Sequence, residues 1–199
     1  SIPAISALPL ARQRNLLRRV ARRNGLPPPP STRLHQIVHE LIPARADGQP
    51  LVRWTGAEVR RYRDRLYFMA HGATLPDSPL AKLTLSEGPV DLGPGLGAIE
   101  LVKSSSGIDP SIATEGLDIC FRHGGEEVRI RDGGSTRKLK KLMQEAGVLP
   151  WMRDRVPILQ SCGDIVAVGD LWTSAEYTVQ GGYSIDWRQK PTIQAPPAL

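Results

Sequence analysis

The densest group of charged side chains in the sequence lies between residues 129 and 141. Six cations stand there against one acid, Asp132. They are Arg129, Arg131, Arg137, Lys138, Lys140 and Lys141. Lysine and arginine bind phosphate groups, and a polyanion bound in this way releases its condensed counterions. The pattern therefore predicts a phosphate-binding surface whose partner is a polyanion such as nucleic acid.

The glycines within this run predict how the surface is built. Gly133-Gly134-Ser135 precedes a predicted helix over residues 135–146, which Gly147 and Pro150 end. Its apolar residues share one face: Leu139, Leu142, Met143 and Ala146. The first N–H groups of a helix lack partners, so we expect the start at Ser135 to hold phosphate. Arg129 and Arg131 alternate on the preceding predicted strand and would extend the surface. The alternative is a solvated helix behind a glycine hairpin.

A second basic stretch covers residues 1–41, with seven arginines against Glu40, whereas residues 75–119 carry seven acids against two lysines. The whole chain has a net charge of +6 and a pI near 9.7. The first stretch and a later arginine cluster supply further candidate phosphate contacts: Arg18, Arg19, Arg22, Arg60, Arg61 and Arg63. A solvated helix face remains the alternative for the first stretch.

Other chemistry lacks a supporting pattern. His35 and His39 are four residues apart, but Gln36 stands where a zinc protease would place its glutamate. Cys120 and Cys162 lack the paired spacing of a zinc site, and we expect two reduced, partly buried thiols. The glycine-rich segment 93–97 is followed by a strand-like stretch where a nucleotide-binding loop would open a helix, and segment 104–107 has no Gly-Gly pair. We therefore predict no catalytic and no metal-binding residues in this chain.

The elements that position the first basic stretch are predicted to be two helices and a set of strands. The first helix begins near Leu8 and ends at Asn24-Gly25, before the prolines at 27–30. Ser31 or Thr32 is expected to cap a second helix that Pro43 stops. Strands follow at 51–54 and 58–69, with Thr55-Gly56 as the turn between them. Val59, Tyr62, Leu66 and Met69 would also suit one face of a helix, but the preceding turn and the aromatic content favour strands.

Short strands recur in the second half of the sequence. They are predicted around residues 81–85, 98–102, 117–122 and 128–131, and a hairpin at 158–174 turns at 162–164. A seam is expected at 71–78, and residues 188–199 have the composition of a loose tail.

These elements predict an α+β fold with a small, mostly helical domain carrying a strand pair, then a β-rich domain of short strands with one basic helix. The boundaries are a domain at 1–74, an acidic strand-containing connector at 75–110, and an α+β domain with a tail at 111–199. No stretch approaches the roughly 20 apolar residues of a membrane span, and the start lacks both an initiator methionine and an export signal. We expect a fragment of a cytoplasmic protein without a membrane partner.

The run from Gly133 to Leu159 resembles the C-terminal domain of tRNA(Ile)-lysidine synthases. In that family a basic helix precedes a Pro-Trp-hydrophobic-Arg-Asp-Arg turn, found here at 150–155, and a Pro-Leu-Leu-like strand. The later Gly-Leu-Trp-like segment is matched by 169–172. Residues 58–67 are similar to the end of the family's central domain, and the arginine-rich first helix fits that domain's opening.

The resemblance implies a function. The family ligates lysine to C2 of the wobble cytidine 34 of tRNA(Ile) with ATP, which changes the codon and amino-acid specificity from Met to Ile. Its phosphate loop and its ATP and Mg²⁺ belong to an N-terminal domain that this chain does not match, so the chain alone is expected to be inactive and to hold no cofactor. The resemblance implies that the chain binds tRNA(Ile), with its central domain against the tRNA body and its C-terminal domain on the acceptor stem. Our own hypothesis is that Arg153 and Arg155 help the basic helix to contact the acceptor-stem backbone.

Two other classes of function stay open. The chain could organise its enzyme through protein contacts, as a dimerisation module or a brake on the catalytic domain, with the acidic block against a basic neighbour. A self-sufficient small-molecule enzyme is the third class, but no constellation of residues supports it.

Overall fold

The computed structural model describes residues 1–45, 48, 50–71, 75, 79–130 and 133–195. The chain folds into two compact units, Ser1–Ala73 and Thr74–Leu199. The predicted seam at 71–78 lies almost entirely outside the described residues. Helices and several small sheets are both present, so the α+β prediction is confirmed.

The first unit begins with helices. They are α1 (Ile2–Ser6), α2 (Leu10–Arg23) and α3 (Ser31–Gln36), and α3 continues into a π-helical turn at Ile37–Leu41. The end of α2 at Asn24 and the break at the prolines are as predicted, whereas α1 was not predicted. Ser31 and Thr32 do not cap α3, because the helix begins at Ser31 itself and the cap position is Pro30.

A three-stranded antiparallel sheet completes this unit, with β1 (Leu51–Trp54), β2 (Ala57–Tyr62) and β3 (Arg65–Ala70) in that order. The predicted strand pair is therefore wrong, because the stretch 58–69 turns at residues 63–64 and forms two strands. Side chains alternate between the two faces of the sheet. One face carries Val52, Trp54 and Val59 into a core shared with the helices. Arg53 and Glu58 pair in register on the opposite face. The sheet thus keeps an apolar inner face and a charged outer face.

The second unit is built mainly of short strands. In chain order its elements are β4 (Ala81–Leu83), β5 (Val90–Asp91), β6 (Ala98–Ile108), α4 (Pro110–Glu115), β7 (Leu117–Cys120), β8 (Glu127–Val128), β9 (Arg137–Lys138), α5 (Leu139–Glu145), a 3-10 helix (Pro150–Arg155), β10 (Ile158–Ser161), β11 (Asp164–Val168), β12 (Trp172–Thr173), a 3-10 turn (Ala175–Tyr177), β13 (Thr178–Gln180) and β14 (Tyr183–Arg188). The predicted turn after β10 is present, with Cys162 and Gly163 both at positive φ.

Three sheets arrange these strands. The largest has the order β12-β11-β10-β7-β4, a second joins β13, β6 and β14 with β5 also on β6, and β8 pairs with β9 alone. Strands β4, β5 and β6 all come from the segment 75–110 that we expected to be a connector. Their hydrogen bonds to later strands make that segment part of the second unit instead.

The predicted loose tail is also partly ordered. Ile193 is buried, its carbonyl accepts a hydrogen bond from the Leu149 amide, and Gln194 forms a bridge with Val148. The tail therefore packs beside the end of α5 up to residue 195, because the apolar side chain of Ile193 fills a place in the core. Residues 196–199 lie outside the described part.

Candidate nucleic-acid interface

The basic segment, residues 127–145, forms a strand pair followed by a helix. In the β8–β9 pair Glu127 stands opposite Lys138, and Val128 stands opposite Arg137. Directly opposed side chains in an antiparallel pair lie on the same face. Arg137 therefore lies on the side of the buried Val128, and Lys138 lies on the opposite, exposed side.

The helix of this segment starts later than predicted. Residues 135–138 were expected to be helical, but Arg137 and Lys138 form β9 and α5 begins at Leu139. Hydrogen bonds to β8, and one from the Leu139 amide to the Glu126 carbonyl, hold this stretch extended. Ser135 lies exposed before β9, so the predicted phosphate site at a helix start on Gly133-Gly134-Ser135 is wrong.

Three lysines remain together where α5 begins. Lys138 occupies the cap position without a side-chain cap hydrogen bond, and Lys140 and Lys141 lie in the first turn, which contains no acid. All three side chains are exposed. Within the described residues the side chains of Lys138 and Lys140 make no hydrogen bond or ion pair, whereas Lys141 interacts electrostatically with Glu145. These lysines are three exposed cations of the basic segment that an anion can reach.

The arginines of the segment are engaged by acids. One terminal nitrogen of Arg137 donates to both carboxylate oxygens of Glu145, at 2.7 and 2.8 Å. Arg129 pairs with Glu176 at 2.7 Å. The hydrogen bond from Arg137 lowers the pKa of the Glu145 carboxyl, so Glu145 is held as an anion. Arg131 lies outside the described residues.

Arg153 and Arg155 lie on the 3-10 helix that follows α5. The Arg153 Nε donates to the Val148 carbonyl at 3.2 Å, which ties this helix to the end of α5. Arg155 is half-buried. Both side chains are therefore partly engaged in packing beside the basic segment and are not fully exposed for RNA contact.

The sequence did not single out Arg122, which links this scaffold together. Its side chain, which is only 11% exposed, pairs with Glu126 at 3.0 Å and with Asp154 at 3.2 Å. Glu126 also accepts the backbone N–H groups of His123 and Gly124. Burial raises the pKa of Glu126, but these hydrogen bonds outweigh it and hold the pKa below its usual value. An arginine followed four residues later by a glutamate was the available signal.

In the first unit, Arg60, Arg61 and Arg63 do not form one patch. Arg60 binds Glu58 on the outer sheet face, while Arg61 bonds the Ile42 carbonyl at the end of the π-helical turn. Arg63 lies in the β2–β3 turn at a φ of 54°, with its guanidinium 5.3 Å from the Tyr62 ring centroid. Strand alternation separates neighbouring residues in this way.

Helix α2 does present a continuous basic face. Its buried side is formed by Gln13, Leu17 and Ala21. Four exposed arginines lie away from it and make no ion pair within the described residues: Arg12, Arg19, Arg22 and Arg23. Arg18 is half-buried on the flank. Helical periodicity, applied to the whole arginine series, was the signal that would have added Arg12 and Arg23.

Glu58 is a nearly buried carboxylate whose side chain is 5% exposed. It accepts from Arg60 at 2.6 Å and Arg53 at 2.8 Å, and His71 Nδ1 lies 3.3 Å away. Burial raises the pKa of Glu58, but hydrogen bonds from the two arginines outweigh it and keep the pKa below its usual value. This cluster fixes the charged outer face of the sheet.

The remaining polar candidates show no catalytic geometry. The rings of His35 and His39 contact each other with centroids 4.3 Å apart and planes tilted by 40°. Burial raises the pKa of the Cys120 thiol, which disfavours a reactive thiolate. Both cysteines are free, but Cys162 is exposed in the turn after β10 and not partly buried as we predicted. Among the residues with described positions, no three His, Cys, Asp or Glu side chains cluster as a metal site would require. Nor does any described helix have the length and apolarity of a membrane span.

Comparisons with known proteins agree on one family. The TilS substrate binding domain matches residues 1–67, and the TilS substrate C-terminal domain matches residues 117–187. A tRNA(Ile)-lysidine synthase of Alkalilimnicola ehrlichii is 39% identical over 187 residues, covering 93% of this chain and 42% of the relative. The Ralstonia nicotianae protein of the same name is 34% identical, over 94% of this chain and 43% of its own length.

A solved structure described as the crystal structure of the TILS C-terminal domain is 26% identical, covers 53% of this chain and 85% of its own, and has a TM-score of 0.37. The chain spans about two fifths of the length of the curated relatives it matches. Two family domains lie in their expected order along it, one in each unit. The chain belongs to the tRNA(Ile)-lysidine synthase family, and it carries that family's substrate-binding and C-terminal domains.

Proposed function

We propose that this chain is the tRNA-recognition part of a tRNA(Ile)-lysidine synthase. Its second unit binds the acceptor stem of tRNA(Ile) through the basic segment. The arginine face of α2 contacts the tRNA body. Family membership and the names of the relatives support the choice of tRNA as partner. Because side chains can scarcely enter the deep major groove of an RNA duplex, binding depends on backbone shape and phosphates.

The observation that carries this proposal is the group of lysines where α5 begins. A cation is disfavoured at the positive end of a helix, and Lys138, Lys140 and Lys141 gather there without an acid in the first turn. Mutual repulsion of these exposed charges adds to that cost. A phosphate backbone that docks against them removes both unfavourable effects, whereas a purely structural role would favour an acid at the same positions.

The complete enzyme joins lysine to C2 of cytidine 34 of tRNA(Ile). ATP first adenylates the base with release of pyrophosphate, and the lysine amine then displaces AMP. We assign ATP, Mg²⁺ and both chemical steps to the part of the relatives that this chain does not cover. In the described residues the glycine-rich segment 93–97 leads into strand β6, which does not suit a nucleotide loop. The chain alone therefore binds tRNA but does not catalyse the reaction. We place the enzyme in the cytoplasm, where tRNA is modified.

Replacing Lys140 and Lys141 together with alanine tests this function. The variant should bind tRNA(Ile) about tenfold more weakly, and each lost phosphate contact should reduce the slope of log affinity against log salt by about 0.7–0.9. Filter-binding titrations between about 50 and 200 mM salt measure both quantities.

The matched control replaces Lys82 and Lys103, two exposed lysines on β4 and β6, and thus removes the same total charge. The control should keep the salt slope of the wild-type chain. If the two double variants have equal slopes of log affinity against log salt, the basic segment is not part of the interface. If the wild-type chain shows no salt-dependent binding, the proposed function is overturned.

A further inference from the structure

Two arginines of the predicted interface are already engaged by acids of the same unit. Arg137 of β9 reaches along α5 to Glu145, and Arg129 reaches Glu176 of the 3-10 turn. Each of these arginine side chains remains 36% exposed, so solvent and a large ligand can reach it. The acids therefore lie where an incoming RNA phosphate would bind.

Carboxylate and phosphate are alternative ligands for one guanidinium. Both present paired oxygens that accept the parallel N–H donors of arginine. In this chain one terminal nitrogen of Arg137 already serves both oxygens of Glu145. An RNA phosphate that approaches Arg137 consequently has to displace Glu145 or share the guanidinium with it, and sharing places two anions side by side.

Glu145 also acts on a neighbouring lysine. Lys141 lies one helical turn before it on the same side of α5 and interacts with it electrostatically. Lys138 and Lys140 have no such partner within the described residues. The cations around α5 thus form two groups. Lys138 and Lys140 are available to any anion. Arg137 and Lys141 are partly neutralised by the Glu145 carboxylate.

We infer that Glu145 is an internal competitor of RNA phosphate for Arg137, and that it sets the affinity of the basic segment. Lys138 and Lys140 make the first contacts with the RNA backbone, and Arg137 joins only after its guanidinium exchanges the carboxylate for a phosphate. An isolated anion, which lacks neighbouring phosphates on the lysines, does not drive this exchange. The inference rests on the proposed RNA-binding function and adds a residue that limits its affinity.

The competition is weak enough to be reversible. Exposed ion pairs contribute little to stability, because solvent screens them and the two side chains lose rotational freedom. Glu145 is 50% exposed, so releasing Arg137 from it is a small step compared with binding a polyanion. Removing the competitor should accordingly tighten RNA binding by about two- to fivefold rather than by orders of magnitude.

The test compares Glu145→Gln with Glu127→Gln in the 199-residue chain. Both substitutions remove one negative charge from the basic segment, but Glu127 has no ion pair within the described residues. Binding of tRNA(Ile) and of an RNA stem of the acceptor-arm sequence is titrated at several salt concentrations. Glu145→Gln should bind about two- to fivefold more tightly with a steeper salt slope, and Glu127→Gln should change binding less.

A double-mutant comparison assigns the effect to Arg137. In an Arg137→Ala background, the gain from Glu145→Gln should fall well below its value in the original chain, and only the part that acts through Lys141 should remain. Equal gains for the two glutamine variants in the original chain, or an undiminished gain without Arg137, would overturn the inference. A wild-type chain that fails to bind RNA in a salt-dependent manner would instead overturn the proposed function itself.

Discussion

At the scale of single residues, Glu58 shows how one carboxylate organises several cations. It lies on the outer sheet face, pairs in register with Arg53 and also holds Arg60. An unpaired carboxylate with so little exposure would be costly, so the two guanidiniums are needed to keep it ionised. In return they are fixed in position, which limits how far each can move toward a ligand.

Glu58 should therefore stabilise the first unit in a pH-dependent way. Its folded-state pKa is lowered, so its contribution is complete above its unfolded pKa of 4.5 and is lost as the pH falls through the folded value. Glu58→Gln should cost about 1–3 kcal/mol at pH 7, because the arginines lose a charged acceptor. The difference from wild type should shrink as the pH falls below 4.5.

Hydrogen exchange of peptides within 51–70 at pH 7 and pH 4 measures this effect locally. Glu40→Gln is the matched control, since Glu40 is exposed and has no ion pair within the described residues. A Glu58→Gln penalty that is the same at both pH values would contradict the ionised role of Glu58.

Residue types alone located the cations but not their partners. The six-cation run predicted a basic surface, yet nothing in the local sequence pairs Arg129 with Glu176, because 47 positions separate them. Arg137 and Glu145 lie eight residues apart, a spacing that is not adjacent on one helix. Their contact became possible only because Arg137 lies on a strand.

At the scale of elements, helix α5 shows the limit of the periodic pattern. Leu139, Leu142 and Met143 were correctly predicted to form its buried face. The start was placed four residues early because residues 135–138 fit a helix locally, whereas pairing with β8 decided their conformation. Helix α2 was predicted well because the asparagine–glycine pair and the prolines end it within the local sequence.

The same element predicts an opposition between stability and binding. Lys140→Glu places an acid in the first turn of α5, where it should stabilise the second unit by about 0.3–1 kcal/mol through the helix dipole. The substitution should raise the midpoint of thermal unfolding by about 1–4 °C and weaken tRNA binding by more than alanine does at this position.

Calorimetry and the binding titration together test that opposition. Gln144→Glu provides the control, because it adds an exposed acid near the other end of α5, where the dipole disfavours it. If Lys140→Glu destabilises the unit, Lys140 contributes to the fold, and the lysines can no longer be explained by RNA binding alone.

At the scale of the whole molecule, the chain consists of two units that each carry a family domain and a separate basic surface. The segment at 75–110 is acidic, and its strands pair with later strands of the second unit. Its acidic composition led us to expect a connector. The pairing of β6 with β14 could not be predicted, because the paired residues lie 80 to 90 positions apart in the sequence. Non-local pairing of this kind carries little local signal.

The most direct test of the account is a titration of the 199-residue chain with tRNA(Ile) and with a minihelix of its acceptor arm. We expect both RNAs to bind with a steep salt dependence, and the Lys140/Lys141 double alanine variant to lose affinity for both. A minihelix that does not bind while the full tRNA does would contradict the assignment of the second unit to the acceptor stem. A salt-stable dimer with no affinity for either RNA would contradict the whole account and favour a role in protein assembly.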